Sequence, residues 1–158
     1  MLPIRTILHP TDFSAPSAAA FQVACALARD YGARLVLLYV KPPDVVYGDG
    51  FILPPDPEPV RRQLFDKLKG LGPADPAIRV ERVLLEGDPA AGILEKAREL
   101  PCDLIVMGTH GRTGVGRLLM GSVAEAVLRR APCPVLTVKG LPALVPPVEA
   151  ATQEVVKC

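Results

Sequence analysis

The sequence predicts an α/β protein, a three-layer sandwich in which helices cover both faces of a five-stranded parallel sheet. Short apolar runs alternate with stretches of helical periodicity along the chain, which is typical of successive β-α-β units. One run, Ala33–Val40, is apolar almost throughout, as expected of a parallel strand covered on both faces. With 158 residues, the chain is long enough for one domain with a sizeable aliphatic core.

Local signals set the boundaries of the predicted elements. Pro10 ends the first strand, Ser14 is a favourable N-cap for the following helix, and Gly32 ends that helix. Asp88 and Pro89 suit the N-cap and first position of a later helix. The predicted elements are, in order, a strand at 4–8, a helix at 15–31, a strand at 33–40, a helix at about 58–71, a strand nearer the sheet edge at 78–85, a helix from 89 with apolar residues Ile93, Leu94, Ala97 and Leu100, a strand at 103–107, a helix at about 121–131 and a strand at 134–138.

Two segments lack a regular pattern. Residues 41–59 contain six prolines and two glycines, which predicts a long extended loop. Long loops in compact domains are either functional or disordered. From Gly140 onward the chain is proline-rich and then polar, so we expect one domain at residues 1–140 and a loosely held tail at 141–158.

Composition argues against several classes of protein. A net charge of +1 disfavours a nucleic-acid-binding protein with a basic face. No apolar run reaches the roughly 20 residues needed to span a bilayer, and no basic segment followed by an apolar one marks a secretory signal. We therefore expect a cytoplasmic protein without membrane or nucleic-acid partners.

The four cysteines show no metal-binding or redox spacing. No pair forms C-x-x-C, and the two histidines do not cluster with them, so neither a zinc site nor a redox motif is expected. We interpret Cys25, Cys102 and Cys133 as small buried hydrophobic residues and Cys158 as exposed, which fits a reducing compartment.

A glycine-rich stretch, 108–122, joins the fourth strand to the fourth helix. Its glycines leave backbone N–H groups uncovered, and the helix beginning at Gly121-Ser122 adds N–H groups at the positive end of its dipole. This combination predicts an anion site, most often for phosphate. A Walker A loop is excluded because Arg117 and Leu118 stand where its lysine and hydroxyl residue belong. The dinucleotide-binding fingerprint G-x-G-x-x-G is also excluded, because Leu119 stands where its last glycine belongs.

The pattern Gly108, two residues, Gly111, nine residues, Gly121-Ser122 resembles the nucleotide-binding signature of the universal stress protein family, in its ATP-binding branch. The segments Ile7-Leu-His-Pro-Thr-Asp-Phe-Ser and Ala131-Pro-Cys-Pro-Val-Leu also look like that family, and the resemblance covers roughly residues 3–139. It implies an adenine nucleotide alpha hydrolase-like, Rossmann-like fold with strand order 3-2-1-4-5. The alternative for the stretch is a structural glycine turn.

In that strand order, the ends of the first and fourth strands meet at the switch point where ligands bind. Asp12 would then face the glycine-rich stretch and accept hydrogen bonds from ribose hydroxyls or an adenine amino group. The alternative is a turn residue or an accessory cap. The resemblance implies a shape role for Pro10, a polar contact for Thr11, and recognition of the adenine edge by the backbone of Val40.

Phosphates would lie against the glycine-rich stretch and the start of the fourth helix. Gly108 and Gly111 would let them approach the backbone, because no Cβ blocks the way. Gly121, Ser122 and Val123 would supply helix-terminal N–H groups and one hydroxyl. The alternative for Ser122 is to cap the helix together with Glu125, at the spacing of a capping box.

Charged side chains near the phosphates are His110, Arg112 and Arg117. We favour Arg112, which lies inside the stretch and whose planar guanidinium suits phosphate; the alternative for each is a solvated loop charge. No nucleophile, carboxylate pair or metal triad accompanies His110 in the sequence, so we assign neither catalytic nor metal-ligating residues.

These features predict an ATP-binding stress-response or signalling protein without fast catalysis, with any Mg²⁺ held mainly by the phosphates. One alternative is a slow ATPase or nucleotidyl-transferring enzyme. Another is a nucleotide-independent interaction protein, with loop 41–59 folded over the crevice. The resemblance also implies a homodimer formed by antiparallel contact of the last strand, Val135–Val138, at a flat apolar edge. The alternative is an edge covered by the tail.

Overall fold

Strands and helices alternate along the chain, as the sequence predicts. The computed structural model describes residues 3–43, 57–109 and 120–139. Within these ranges, each predicted element begins within two residues of its observed start. The elements are β1 Thr6–Pro10, α1 Ala15–Tyr31, β2 Arg34–Lys41, α2 Pro57–Gly70, β3 Val80–Glu86, α3 Pro89–Glu99, β4 Leu104–Gly108, α4 Ser122–Arg130 and β5 Val135–Val138.

The five strands form one parallel sheet in the order β3-β2-β1-β4-β5. This confirms the predicted order and places β3 and β5 at the two edges. From β1 the chain crosses to β2 on one side, whereas α3 carries it from β3 back across to β4 on the other. The switch point therefore lies between β1 and β4.

Helices cover both faces of the sheet. On one face, α1 and α2 bury Phe21 and Leu68 against Leu35 and Leu37 of β2. On the other face, α3 and α4 bury side chains such as Ile93 and Val127 against Leu8 and Leu38. Residues 35–40 of β2 are all buried between these layers. Both faces of the strand are therefore covered, which explains why its side chains are apolar at successive positions.

The predicted helix signals are confirmed at both ends of α1 and at the start of α3. Ser14 Oγ accepts a hydrogen bond from Ser17 N–H, and Gly32 adopts the left-handed conformation, with a φ of 63°. Asp88 Oδ1 accepts from Ala91 N–H at 2.8 Å. One boundary differs, because β1 continues through Pro10 instead of ending before it. Pro10 lies opposite Leu38 in the pairing with β2.

Two predicted segments fall wholly or largely outside the described residues. They are the tail at 141–158 and most of the loop at 41–59. Within the part of the chain that the structure describes, no helix is both long and apolar enough to cross a membrane.

Candidate functional site

A cavity of about 230 Å³ opens beyond the carboxyl end of β1, at the switch point of the sheet. Its floor and walls come from the ends of β1, β2 and β4 and from the first turns of three helices. The lining residues are Pro10, Thr11, Asp12, Ser17, Leu38, Tyr39, Val40, Pro42, Pro89, Ile93, Met107, Gly108, Gly121, Ser122, Val123 and Ala124.

The backbone of Val40 is directed into this cavity. In β2, Arg34 N–H donates toward the β1 side at 2.9 Å, and Leu35 N–H donates toward the β3 side at 2.8 Å. These directions alternate along a strand, so the N–H and C=O of Val40 both face the β1 side. Because β1 ends at Pro10, opposite Leu38, the two groups of Val40 point to the space beyond it.

The loop after β1 is held by its own polar side chains. Thr11 N–H donates to Leu38 O at 2.8 Å, which continues the contact with β2. Thr11 Oγ1 accepts hydrogen bonds from Phe13 N–H at 3.1 Å and Ser17 Oγ at 2.9 Å. Phe13 adopts a φ of 63°, and its ring packs on Tyr39 with 4.9 Å between centroids. The loop therefore has a fixed conformation at the cavity edge.

Asp12 holds the turn after β1 and also lines the cavity. Its Oδ1 accepts hydrogen bonds from Ser14 N–H at 2.9 Å and Ser14 Oγ at 2.5 Å, so it stabilises the turn that starts α1. Asp12 also lines the cavity, as does the start of α4. A carboxylate in this position can therefore accept hydrogen bonds from a ligand while it supports the turn.

The first turn of α4 presents backbone donors to the cavity. Gly121 N–H donates to Thr109 O at 2.8 Å, and the bonding of the helix itself begins with Glu125 N–H to Gly121 O at 2.9 Å. The N–H groups of residues 122–124 therefore have no partner within the helix, and all three residues line the cavity. The positive end of the helix dipole lies at the same place.

The capping interpretation of Ser122 is wrong. Gly121 is the N-cap of α4, no side chain among the described residues caps the helix, and Ser122 is the first helical residue. Glu125 instead pairs with Arg129 at 2.9 Å. Ser122 is exposed and lines the cavity, so its hydroxyl is available to a ligand.

Gly108 lacks a side chain for a reason that the sequence did not reveal. A Cβ at this position would lie 3.1 Å from the carbonyl carbon of Pro16 and 3.2 Å from Ser17 N. The space that we assigned to phosphate on this side is filled by the first turn of α1. Gly108 lines the cavity, but its missing Cβ serves the packing of α1 on β4.

His9 is a buried residue next to the site that sequence reasoning did not select. Its Nδ1–H donates to Val106 O at 2.8 Å, which ties β1 to β4 at the switch point. Burial lowers the pKa of His9 to about 4, so the imidazole is neutral at neutral pH. Its Nε2 has no hydrogen-bond partner within the described ranges. His9 is thus a structural link beneath the cavity.

The structure brings eight of the predicted site residues together around this cavity: Pro10, Thr11, Asp12, Val40, Gly108, Gly121, Ser122 and Val123. His110, Gly111, Arg112 and Arg117 lie outside the described residues. Sequence reasoning missed the apolar wall formed by Pro42, Pro89, Ile93 and Met107. The same switch-point rule, applied to the first turn of α3, could have identified Pro89 and Ile93.

Within residues 3–43, 57–109 and 120–139, no group of three or more His, Cys, Asp or Glu side chains could hold a metal ion. Asp12 is the carboxylate that lines the cavity within those ranges.

The fold and the position of the cavity define a doubly wound α/β protein of the Rossmann-like class, with a ligand-sized crevice at its switch point. The universal stress protein family model matches residues 3–139. The chain belongs to the universal stress protein family.

Individual relatives agree with this assignment. The chain is 36% identical to universal stress protein MJ0531 of Methanocaldococcus jannaschii over 142 residues, which cover 85% of this chain and 82% of that protein. It is 38% identical over 139 residues to a universal stress protein of Thermus aquaticus, covering 85% and 98% of the two chains.

Solved structures share the fold. Universal stress protein UspA from Lactobacillus plantarum superposes with a TM-score of 0.66 at 27% identity, over 85% of this chain and 97% of that one. A universal stress protein crystallised in complex with cAMP superposes with a TM-score of 0.58 at 29% identity, over 87% and 98% of the two chains.

Proposed function

We propose that this protein binds an adenine nucleotide, ATP, in the cavity at the switch point and acts as a nucleotide-dependent stress-response or signalling module in the cytoplasm. One observation carries the proposal. The cavity combines an apolar wall, a strand backbone with a donor and an acceptor directed into it, and the N–H groups of a helix start, which have no partner within that helix. The apolar wall suits a base, the strand backbone suits the hydrogen-bonding edge of that base, and the helix N–H groups suit a phosphate.

The base occupies the apolar side of the cavity. Its walls are the side chains of Ile93 and Met107 together with Pro42 and Pro89. An adenine offers a donor amino group beside a ring-nitrogen acceptor, and this pair matches the C=O and N–H of Val40. Burial of the ring between apolar side chains contributes to affinity, and the hydrogen bonds of the Val40 backbone provide specificity for adenine.

The phosphates occupy the α4 side. The N–H groups of residues 122–124 and the Ser122 hydroxyl donate hydrogen bonds to phosphate oxygens. Asp12, across the cavity, accepts hydrogen bonds from the ribose hydroxyls. The gapped glycine pattern supports a triphosphate, and a Mg²⁺ ion would be held mainly by the phosphates.

The relative crystallised with cAMP supports an adenine nucleotide as the class of ligand. The three described cysteines are free thiols, which supports a cytoplasmic location.

Calorimetric titration with ATP and Mg²⁺ tests the proposal. The wild type should bind. Gly121→Val should lose most of the affinity, because it adds a branched side chain at a residue that lines the cavity, and valine readily adopts the φ of −62° and ψ of 146° found there. Gly72→Val is the matched control, since the nearest atom to a Cβ there lies 4.0 Å away on the flexible Arg82 side chain. Absence of wild-type binding would reject the proposal, and ADP formed in step with bound ATP would make the protein a slow ATPase.

We also propose that two copies pair through β5, antiparallel, to form a homodimer. β5 is the last strand in the sheet order, so one of its edges lacks a neighbouring strand within the described residues. Leu136 on β5 is 38% exposed, and Leu128 on the adjacent helix α4 is 48% exposed. Burial of such apolar groups favours association.

Sedimentation equilibrium tests the dimer. The wild type should sediment as a dimer and Leu136→Glu as a monomer or a weaker dimer. Val60→Glu is the matched control, because Val60 is a similarly exposed apolar residue, 39%, located on α2. A monomeric wild type, or equal weakening by both substitutions, would contradict pairing through β5.

A further inference from the structure

Two cysteines lie together at the amino ends of β4 and β5, the end of the sheet opposite the cavity. Cys102 comes two residues before β4, and Cys133 comes two residues before β5. The two strands are parallel neighbours, and Ile105 N–H donates to Pro134 O at 3.0 Å. This pairing places the segments that enter the two strands side by side.

The two side chains share one apolar cluster. Cys102 is buried in the cluster beneath α3 and α4, and Cys133 packs against that cluster. The Cys102 thiol donates to Leu104 O at 3.1 Å, which holds it at the start of β4. Two cysteines on neighbouring segments of one cluster are where an intramolecular disulfide can form.

The two cysteines differ in access to solvent. Cys102 is 8% exposed, whereas Cys133 has intermediate exposure, and both are free thiols. A small oxidant therefore reaches Cys133 first, with Cys102 as the resolving thiol in the same cluster. Cys25, by comparison, lies on α1 in the cluster on the opposite face of the sheet.

We propose that Cys102 and Cys133 form a modification site, a dithiol that a hydroperoxide oxidises to an intramolecular disulfide. The Cys133 thiolate attacks the peroxide, whose O–O bond breaks; the sulfur becomes a sulfenic acid, and the other oxygen leaves as water or an alcohol after taking a proton. The Cys102 sulfur then attacks the sulfenic sulfur and forms the S–S bond. The thiol proton and the sulfenic hydroxyl leave together as water. Overall, two thiols lose two electrons and two protons to one peroxide.

The surroundings of the pair determine how fast this happens. Burial raises the pKa of Cys133 to about 12 and also raises the pKa of Cys102. Part of the upward shift of both pKa values comes from the neighbouring Asp103 carboxylate, which accepts hydrogen bonds from the Arg5 and Thr6 N–H groups. The reactive thiolate is scarce at neutral pH, so oxidation is slow there and accelerates as the pH rises.

The disulfide would join the two ends of the segment that runs from β4 through α4. That segment carries Gly108 and the N–H donors of residues 122–124, all of which line the cavity. Oxidation would therefore cross-link the base of the segment that supplies Met107, Gly108 and residues 121–124 of the cavity lining. The pair can be oxidised whether or not the cavity binds a nucleotide, so the proposal is independent of that function.

The test uses the full chain with Cys25→Ala and Cys158→Ser, so that Cys102 and Cys133 are the remaining thiols. Hydrogen peroxide is added at pH 7 and at pH 9, and free thiols are then counted in denaturant alongside intact mass. We expect loss of both thiols and of two hydrogen atoms per monomer, reversal by dithiothreitol, and a faster reaction at pH 9.

Adding Cys102→Ala to this background provides the matched control. Cys133 alone should stop at a sulfenic acid, trapped by dimedone, with no intramolecular disulfide. Far-UV circular dichroism checks that both proteins are folded. Persistence of both thiols under peroxide, separate oxidation to sulfinic acids, or disulfides formed only between chains would each overturn the proposal.

Discussion

The backbone of Pro16 fills the space where a side chain of residue 108 would begin, 3.1 Å from the ideal Cβ position. Helix α1 therefore approaches β4 as closely as the main chains allow. The loop before α1 and the cavity wall formed by β4 are thus fixed relative to each other.

Gly108→Ala should destabilise the fold. The added methyl group would meet backbone atoms on α1 that cannot rotate away, so we expect a loss of about 1–3 kcal/mol in the free energy of unfolding, typical of overpacking. Urea unfolding measures it. Gly70→Ala, where no atom lies within 4 Å of the added Cβ, should show no such loss. Equal stability of the Gly108→Ala variant and the wild type would show that α1 shifts without cost.

Ser122→Ala should affect ligand binding and not folding. Ser122 caps no helix, so the free energy of unfolding should change by less than about 0.5 kcal/mol. Loss of one hydrogen bond to phosphate should weaken ATP affinity roughly two- to tenfold. Ser14→Ala is the comparison, because Ser14 does cap α1 and its loss should cost about 1 kcal/mol of stability. A Ser122→Ala variant that unfolds as early as Ser14→Ala would restore the capping interpretation.

Asp12→Ala should lower both stability and affinity. Its Oδ1 supports Ser14, so unfolding should become easier by about 1 kcal/mol, and the ribose contact should also be lost. Ser14→Ala removes part of the same turn and keeps the carboxylate. If both variants weaken ATP binding equally in calorimetry, Asp12 acts only through the turn.

The neutral state of His9 predicts acid destabilisation. Its folded pKa of about 4 lies below the unfolded value of 6.5. The stabilisation is therefore complete above pH 6.5 and is lost as the pH falls toward 4, because the unfolded chain binds the proton first. The gap corresponds to roughly 3 kcal/mol at about 1.4 kcal/mol per pH unit. Urea unfolding should be measured for the wild type and His9→Gln between pH 8 and 4.5. The free energy of unfolding of the wild type should fall more steeply with decreasing pH than that of His9→Gln. An equal pH dependence in the two proteins would contradict this.

Much of the fold follows from the sequence because its signals are local. The uniformly apolar β2 and the end signals at Ser14, Gly32 and Asp88 each depend on a few neighbouring residues, and all were confirmed. Strand order is not local. It came from the family resemblance, and the observed order agrees with it.

Sequence reasoning failed where the outcome depends on distant segments. The first turn of α1 occupies the space beside Gly108, and the pairing of β4 with β5 brings Cys102 and Cys133 near each other. Neither arrangement corresponds to a recognisable sequence motif. The capping interpretation of Ser122 was wrong for a different reason. Either residue of Gly121-Ser122 can serve as an N-cap, and only the observed start of α4 decides between them.

The direction of the Val40 backbone makes the cavity tolerant of substitution but sensitive to chain length. The groups that face the base side are an N–H and a C=O, which every residue except proline carries. Exchange of Val40 for another β-branched residue would leave these two groups in place. Deletion of a single residue within β2 would shift the strand by one position. The N–H and C=O groups at the position of Val40 would then point toward β3, because their direction reverses at each step along the strand. Over evolutionary time, the length of β2 should therefore vary less than the identity of its residues.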